Sequence, residues 1–214
     1  MTGILFDLDG TLLDTLEDLL DATNYALKVH GYAERTLPEL RRFMGNGAYN
    51  QMRLSVPEGT APEDIRRVLD TYKPYYTAHC RIKTRPFAGI PESLEALKGK
   101  YPLAIVSNKP DAAVKALCAD YFPGIYALGE AADCPRKPAP DMVFKAMQAI
   151  GCDRCVYVGD SEVDVATAKN AAVPCLTVTW GFRDREDLEA AGARYFCEKT
   201  HEMVHRIEEM IHGK

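Results

Sequence analysis

Short apolar runs alternate with longer segments of helical periodicity along most of the chain. This alternation indicates repeated strand-helix-strand units, in which crossover helices join parallel strands. The strands are predicted at 3–7, 103–107, 125–128, 155–159, 175–179 and 195–197. The helices between them are predicted at 91–99, 110–120, 140–150, 162–171, 184–191 and 200–211. We therefore expect an α/β fold with a mostly parallel sheet and helices on both faces.

Residues 15–82 interrupt this alternation. The segment contains no strand candidate, and only helical patterns are found in it. These helical patterns lie at 18–29, 37–42 and 62–76. The chain is therefore predicted to form two domains, an α/β core of residues 1–14 and 83–214 and a helical insert of residues 15–82.

The charge balance is mildly acidic, with 26 Lys and Arg against 31 Asp and Glu and a net charge of −5. Nucleic acid is not expected as a partner, because binding to a phosphate backbone requires an excess of basic side chains. No apolar stretch is long enough to span a bilayer, and the first residues do not form a secretory signal. We expect a cytoplasmic protein with no membrane partner. One local charged group is interpreted as a solvated helix start: Arg183, Arg185, Glu186 and Asp187.

The seven cysteines are scattered and odd in number, which predicts reduced thiols. Cys152 and Cys155 form a C-x-x-C pair, but no second pair completes a zinc site, and Cys155 begins a predicted strand rather than a helix. His201 and His205 share a helix face without a third ligand. All four residues are interpreted as structural.

Polar residues follow several of the predicted strands at the point where each strand ends. Because the carboxyl ends of parallel strands meet at one edge of a sheet, we expect these side chains to share a crevice. They are Asp7, Asp9, Thr11, Ser107, Asn108, Lys137 and Asp160.

The carboxylates of this crevice predict a divalent cation. Asp7 and Asp9 are two residues apart at a strand end, so their side chains would point to the same side and repel each other. With Asp160 they would form a site of oxygen ligands and high negative charge, which favours Mg²⁺ over zinc or copper. Mg²⁺ is commonly shared with a substrate phosphate. The remaining phosphoryl oxygens would be held by Lys137, Thr11 and Ser107.

Four segments, in this order along the chain, resemble the motifs of the haloacid dehalogenase superfamily. They are 7–15 (DLDGTLLDT), 107–108 (SN), 137–140 (KPAP) and 159–164 (GDSEVD). The resemblance implies a Rossmann-like three-layer core with a small all-helical cap inserted after the first strand. It also implies Mg²⁺ as the cofactor.

The resemblance further implies roles for the matching residues. Asp7 would be the nucleophile that forms an aspartyl-phosphate, and Asp9 the general acid and then the general base. Ser107 and Asn108 would bind the transferring phosphoryl group. Lys137 would stabilise the charge of both the nucleophile and the phosphate.

The same resemblance implies the metal ligands. Asp160 would ligate Mg²⁺ together with Asp7 and the backbone carbonyl of Asp9. Asp164 would orient Lys137 or a metal-bound water, or it would serve only as an acidic residue in the first turn of its helix. Asp9 itself indicates phosphoryl chemistry, because dehalogenases of this superfamily typically lack an acid at that position. The cap groups of phosphonate hydrolases and sugar-phosphate mutases are not recognisable in the sequence.

Within the helical insert, Gly45, Asn46 and Gly47 are candidate substrate contacts. Two glycines flanking an asparagine allow the backbone to approach a ligand closely, and this region resembles that of phosphoglycolate phosphatases. The alternative is a turn that ends a helix without contacting substrate. Arg41 and Arg42 are candidates for binding a substrate carboxylate or second phosphate, although at least one of them is expected to be solvated.

The sequence thus predicts a Mg²⁺-dependent phosphatase for a small phosphomonoester, with 2-phosphoglycolate as the first candidate. Inorganic pyrophosphate and nucleoside monophosphates are alternative substrates within the same superfamily. A non-catalytic phosphate-binding module is an alternative of a different class, but Asp7, Asp9 and Lys137 are all present. The partner would be a small phosphorylated metabolite, and the protein would be a monomer or homodimer.

Overall fold

A computed structural model describes residues 1–213. Its strands are Thr2–Phe6 (β1), Leu13–Asp14 (β2), Arg85–Pro86 (β3), Leu103–Pro110 (β4), Tyr126–Glu130 (β5), Arg154–Gly159 (β6), Cys175–Val178 (β7) and Tyr195–Cys197 (β8). Its helices are Leu16–Val29 (α1), Leu37–Phe43 (α2), Gly47–Ser55 (α3), Pro62–His79 (α4), Ile90–Lys98 (α5), Asp111–Tyr121 (α6), Asp141–Ala149 (α7), Glu162–Asn170 (α8), Arg185–Ala190 (α9) and Met203–His212 (α10). None of the described helices is both long and apolar enough to cross a bilayer.

Six strands form one parallel sheet in the order β5-β4-β1-β6-β7-β8. In the central strand β1, Ile4 and Phe6 pack into one hydrophobic cluster and Leu5 packs into another. Such alternation is expected where helices cover both faces of a sheet. The predicted α/β fold with a parallel sheet is therefore confirmed.

Strand β4 extends beyond its predicted end at residue 107. It continues through Ser107, Asn108 and Lys109 to Pro110, and its register against β5 shifts between Val106 and Pro110. The prediction was wrong here because polar residues were taken to lie in the following loop. The sheet instead holds them at its carboxyl edge.

The four helices α1 to α4 lie between β2 and β3 and pack on one another. Helix α3 is absent from the predicted pattern because it begins at a glycine and buries a polar residue. That residue, Gln51, donates a hydrogen bond to Thr23 Oγ1 at 2.8 Å, which interrupts the apolar periodicity. Helix α4 continues through Pro74 to His79, beyond its predicted end at residue 76.

The two connections between these helices and the sheet run side by side. Strands β2 and β3 pair antiparallel over two residues each. Strands this short leave no recognisable pattern in the sequence. The buried carboxylate of Asp18, in the first turn of α1, accepts hydrogen bonds from the backbone N–H groups of Ile82, Lys83 and Thr84 at 2.9 to 3.1 Å. Asp18 therefore joins the start of α1 to the returning chain.

Candidate active site

Three buried carboxylates lie together at the carboxyl edge of the sheet. Asp7 follows β1, Asp160 follows β6, and Asp164 lies in the first turn of α8. One oxygen atom of each lies within 4.8 Å of the others. Because β1 and β6 are neighbouring parallel strands, their ends bring these side chains to one place.

Lys137 lies between two of these carboxylates. Its Nζ is 2.8 Å from Asp7 Oδ1 and 2.8 Å from Asp164 Oδ1, and its side chain is 2% exposed. Lys137 Nζ also donates to the hydroxyl of Tyr157 at 3.1 Å, and that hydroxyl donates to Asp164 Oδ1 at 3.0 Å. Ser161 Oγ donates to the other oxygen of Asp164 at 2.6 Å. The lysine is thus fixed by a fully buried network.

Asp160 is held by groups from two distant segments. Its Oδ1 accepts a hydrogen bond from Thr11 Oγ1 at 2.9 Å, and its Oδ2 accepts one from the backbone N–H of Phe182 at 2.8 Å. A side chain at Gly10 or Gly181 would collide with this carboxylate, and Gly10 has a φ of 81°. Glycine at both positions therefore makes room for the charged group.

Burial and neighbouring charges shift the pKa values of the cluster. Burial, reinforced by the charge of Asp164, raises the pKa of Asp7 well above its ordinary value, although Lys137 opposes this shift. Burial, followed by the charge of Asp164, raises the pKa of Asp160 to about 7. Burial alone would lower the pKa of Lys137, but Asp164 and Asp7 outweigh it and raise that pKa well above its ordinary value. Lys137 is therefore charged at neutral pH.

This cluster fits a divalent cation. The protein contacts of the Asp7 carboxylate, from Leu8 N at 2.7 Å and Lys137 Nζ, go to Oδ1, and no described residue donates to Oδ2. A cation held by Asp7 and Asp160 would offset the burial and the nearby negative charge that raise both pKa values. A donor set made only of oxygen atoms suits Mg²⁺.

The raised pKa of Asp160 predicts a pH-dependent stability in the absence of metal. The folded state binds this proton more tightly than the unfolded chain, whose Asp pKa is about 3.9. Its contribution is complete below about pH 4 and is lost as the pH rises through about 7. In urea unfolding with EDTA, the free energy of unfolding of Asp160→Asn relative to the original protein should rise between about pH 5 and about pH 8. A difference that does not change with pH would contradict this assignment.

The other residues predicted at the strand ends take different positions. The carboxylate of Asp9 is outside the cluster, and its Oδ1 lies 2.9 Å from Lys109 Nζ. Asn108 makes two hydrogen bonds with the main chain of Lys137, accepting from N at 2.8 Å and donating to O at 2.9 Å. Thr11 uses its hydroxyl hydrogen on Asp160. Ser107 is buried and lines the cavity beside Asp7.

The segment at Gly45, Asn46 and Gly47 is both the turn between two helices and part of the cavity wall. Helix α2 ends just before it, α3 begins at Gly47, and the two glycines have φ angles of 101° and 74°. Both glycines line the cavity, whereas Asn46 is exposed. A side chain at Gly47 would collide with the guanidinium of Arg136.

Arg41 and Arg42, the candidates for binding a substrate carboxylate or second phosphate, do not reach the cavity. Arg41 Nη2 donates to Gly181 O at 3.1 Å and to Asp184 Oδ1 at 3.2 Å, and Arg42 is exposed. Neither lines the cavity beside Asp7.

The interpretation of Arg183 as solvated is wrong. Its side chain is 11% exposed and forms two hydrogen bonds with the Glu162 carboxylate, at 2.6 and 3.0 Å. It also donates to Arg41 O at 3.0 Å and Met44 O at 2.6 Å, at the end of α2. The sequence could not show this, because these partners lie about 140 residues away along the chain.

The cavity enclosed by these groups is small. Its volume is about 40 Å³, which is room for only a few water molecules. Its wall includes Asp7, Asp9, Lys109 and Lys137 on the sheet side and aromatic residues of α4 on the other. A substrate of several heavy atoms therefore does not fit in this volume without a rearrangement of the wall.

Comparison with known proteins gives consistent similarities over almost the whole chain. A family model described as haloacid dehalogenase-like hydrolase matches residues 4–178. A phosphoglycolate phosphatase of Mesorhizobium japonicum is 34% identical over 224 residues, covering 95% of each chain. A solved structure from Lactobacillus delbrueckii subsp. bulgaricus is 37% identical, with a TM-score of 0.88 and coverage of 94% of this chain and 97% of that one. A haloacid dehalogenase-like family hydrolase from Streptococcus pneumoniae is 25% identical, with a TM-score of 0.86 and coverage of 96% and 97%.

Proposed function

We propose that this chain, which belongs to the haloacid dehalogenase-like hydrolase family, is a Mg²⁺-dependent phosphatase whose preferred substrate is 2-phosphoglycolate. Its membership and its phosphoglycolate phosphatase relatives make it a phosphoric monoester hydrolase. The mechanism rests chiefly on one observation, the Asp7 carboxylate, which is buried and held through a single oxygen atom by Leu8 N and Lys137 Nζ.

In the first step, Asp7 is the nucleophile. Its Oδ2 attacks phosphorus, and the bond from phosphorus to the leaving oxygen breaks, so that an aspartyl-phosphate forms. The contacts at Oδ1 orient the attacking atom. Lys137 stabilises the negative charge of the transferring group, and Asp164 and Tyr157 hold Lys137 in place.

Asp9 carries the proton in both steps. It protonates the leaving oxygen as the first bond breaks, and it then removes a proton from the water that attacks phosphorus. This second attack breaks the bond between Asp7 and phosphorus and releases inorganic phosphate. The carboxylate of Asp9 lines the cavity beside Asp7, where both transfers would occur.

Mg²⁺, when bound, neutralises phosphoryl charge and polarises the phosphorus centre. Asp7 and Asp160 would hold it with the backbone carbonyl of Asp9. Asp164 is less available, since its oxygens accept hydrogen bonds from Lys137 and other groups. The hydroxyl of Ser107 is the best placed of the predicted phosphate contacts, because the hydroxyl of Thr11 and the side-chain amide of Asn108 are engaged within the protein.

We also propose that residues 15–82 act as a cap on a core of residues 1–14 and 83–214. The reciprocal contacts of Arg183 with α2, and of Arg41 with Gly181, fasten the two parts in the closed state. Opening would separate these contacts and turn the cap about the paired strands β2 and β3. Gly45 and Gly47 would then reach the substrate through their backbone as the cap closes.

The size of the closed cavity favours a small ester over the alternatives. Inorganic pyrophosphate is about as compact as 2-phosphoglycolate and remains a second candidate, whereas a nucleoside monophosphate is larger and would require a wider opening of the cavity. The phosphoglycolate phosphatase relatives favour 2-phosphoglycolate over both.

Phosphate release from 2-phosphoglycolate, pyrophosphate and AMP, each with Mg²⁺ or with EDTA, tests this function. We expect kcat/KM for 2-phosphoglycolate to exceed the others by about a hundredfold or more and to fall by at least about a hundredfold with EDTA. Equal turnover with Mg²⁺ and with EDTA would show that the reaction does not require the metal. A preference for pyrophosphate or AMP would show that 2-phosphoglycolate is not the preferred substrate. No turnover of any of the three would favour the binding-module alternative.

A further inference from the structure

A second buried lysine lies in the cavity and has no role in the reaction described so far. Lys109 is on β4, and its side chain is 3% exposed. Its Nζ lies 2.9 Å from Asp9 Oδ1, 2.5 Å from the hydroxyl oxygen of Tyr76 and 4.4 Å from the centre of that ring. A buried ammonium group requires compensation of its charge.

The protein compensates Lys109 only in part. Burial, followed by the charge of Asp9, raises the pKa of Tyr76 well above its ordinary value, so this hydroxyl is neutral at physiological pH. The contact with Asp9 has the distance of an ion pair but not the alignment of a hydrogen bond. An ammonium has three N–H donors, and one of them is well used by Tyr76. Lys109 therefore has donors left for a ligand.

The two other cations of the cavity wall, Lys137 and Arg183, are already committed. Lys137 contacts Asp7, Asp164 and Tyr157. The guanidinium of Arg183 is filled by Glu162 and by two backbone carbonyls. Among the described residues, the helical insert contributes no cation to the cavity wall. Among the described cations that line the cavity, Lys109 is thus the one with capacity to bind a further anion.

We propose that Lys109 binds a carboxylate on the leaving group, so that the site selects phosphomonoesters of small 2-hydroxy acids. This inference rests on the proposed function, because it uses Asp9 as the proton donor to the leaving oxygen. In such an ester the carboxylate is attached to the carbon that bears this oxygen, so the two groups lie within about 4 Å of each other. A leaving oxygen at Asp9 therefore places the carboxylate within reach of Lys109, which is 2.9 Å from Asp9.

Tyr76 connects this recognition to the closed state. It lies on α4, on the opposite side of the cavity from β4, and it stacks on Tyr72 with ring centres 5.5 Å apart. Its hydroxyl and ring position Nζ of Lys109 only while α4 covers the site. Lys109 is consequently a specificity-determining residue that the cap helps to position.

The test compares two esters that differ at the leaving group. In 2-hydroxyethyl phosphate, a neutral hydroxymethyl group replaces the carboxylate of 2-phosphoglycolate. For Lys109→Met we expect kcat/KM to fall by about a hundredfold or more for 2-phosphoglycolate and by less than about tenfold for 2-hydroxyethyl phosphate. Lys115→Met, at an exposed lysine on α6 that pairs with Asp111, is the matched control and should change neither value.

Each outcome separates this inference from the proposed function. Equal losses for both esters in a folded Lys109→Met protein would show that Lys109 serves Asp9 alone, and would overturn carboxylate binding. If thermal unfolding shows that this variant does not fold, the same two kcat/KM values are compared between Lys109→Gln and the original protein. An original protein with equal kcat/KM for both esters overturns the inference while leaving the phosphatase intact. An original protein that hydrolyses neither ester refutes the proposed function itself.

Discussion

Replacing Asp7 with asparagine is expected to lower kcat by about ten-thousand-fold or more, the largest loss of any substitution in the site. The amide is a poor nucleophile and cannot form the aspartyl-phosphate. The side chain keeps its size, so the hydrogen bond from Leu8 N and the packing around the cavity should persist. The measurement is phosphate release, together with mass spectrometry of acid-quenched protein to detect one covalent phosphoryl group.

The control for this substitution is Asp133→Asn, at a carboxylate 72% exposed that pairs with Lys145. It should retain full activity, because the pair is on the surface and neither residue lines the cavity beside Asp7. Covalent phosphate in the original protein but not in Asp7→Asn supports the mechanism. Retained turnover in Asp7→Asn, or covalent phosphate at another residue, would show that Asp7 is not the nucleophile.

The sheet could be predicted from the sequence because its buried strands are short, apolar and separated by helices of clear periodicity. Strand β1 illustrates this, since Ile4, Leu5 and Phe6 are buried on both faces and form an uninterrupted apolar run. Helix α3 could not be predicted in the same way. Its buried Gln51 finds Thr23 as a partner only after α1 has packed against it, and the sequence carries no local sign of that contact.

The candidate site was predictable to the extent that its residues follow strand ends. Asp7 and Asp160 each come directly after an apolar run, and the parallel topology brings them together. The partners of each group were not predictable. Asp164 joins the carboxylate cluster because α8 begins beside Asp160 and places it there in its first turn. Lys109 contacts Asp9, from which it is separated by 100 residues along the chain. Such pairings depend on tertiary distances rather than on spacing along the chain.

Replacing Lys137 with methionine is expected to reduce both activity and pH tolerance. Activity should fall by about a thousandfold or more, because the charge that stabilises the transferring group is removed. Stability should fall as well, because Asp7 and Asp164 would remain buried without their cation. Leaving such a charge unpaired costs about 3 to 5 kcal/mol when both carboxylates are ionised.

The sign of the pH effect distinguishes this explanation from loss of packing. In Lys137→Met the Asp7 carboxylate loses the cation that opposes its raised pKa, so it binds a proton more tightly when folded than when unfolded. Its stabilising protonation is complete below about pH 4 and disappears as the pH rises through its folded pKa. Urea unfolding with EDTA should therefore show a deficit that grows between about pH 5 and about pH 8. The exposed control Lys145→Met should stay within about 0.5 kcal/mol of the original protein at both values. A deficit in Lys137→Met that is equal at both pH values would mean that packing, rather than the charge on Lys137, holds this cluster together.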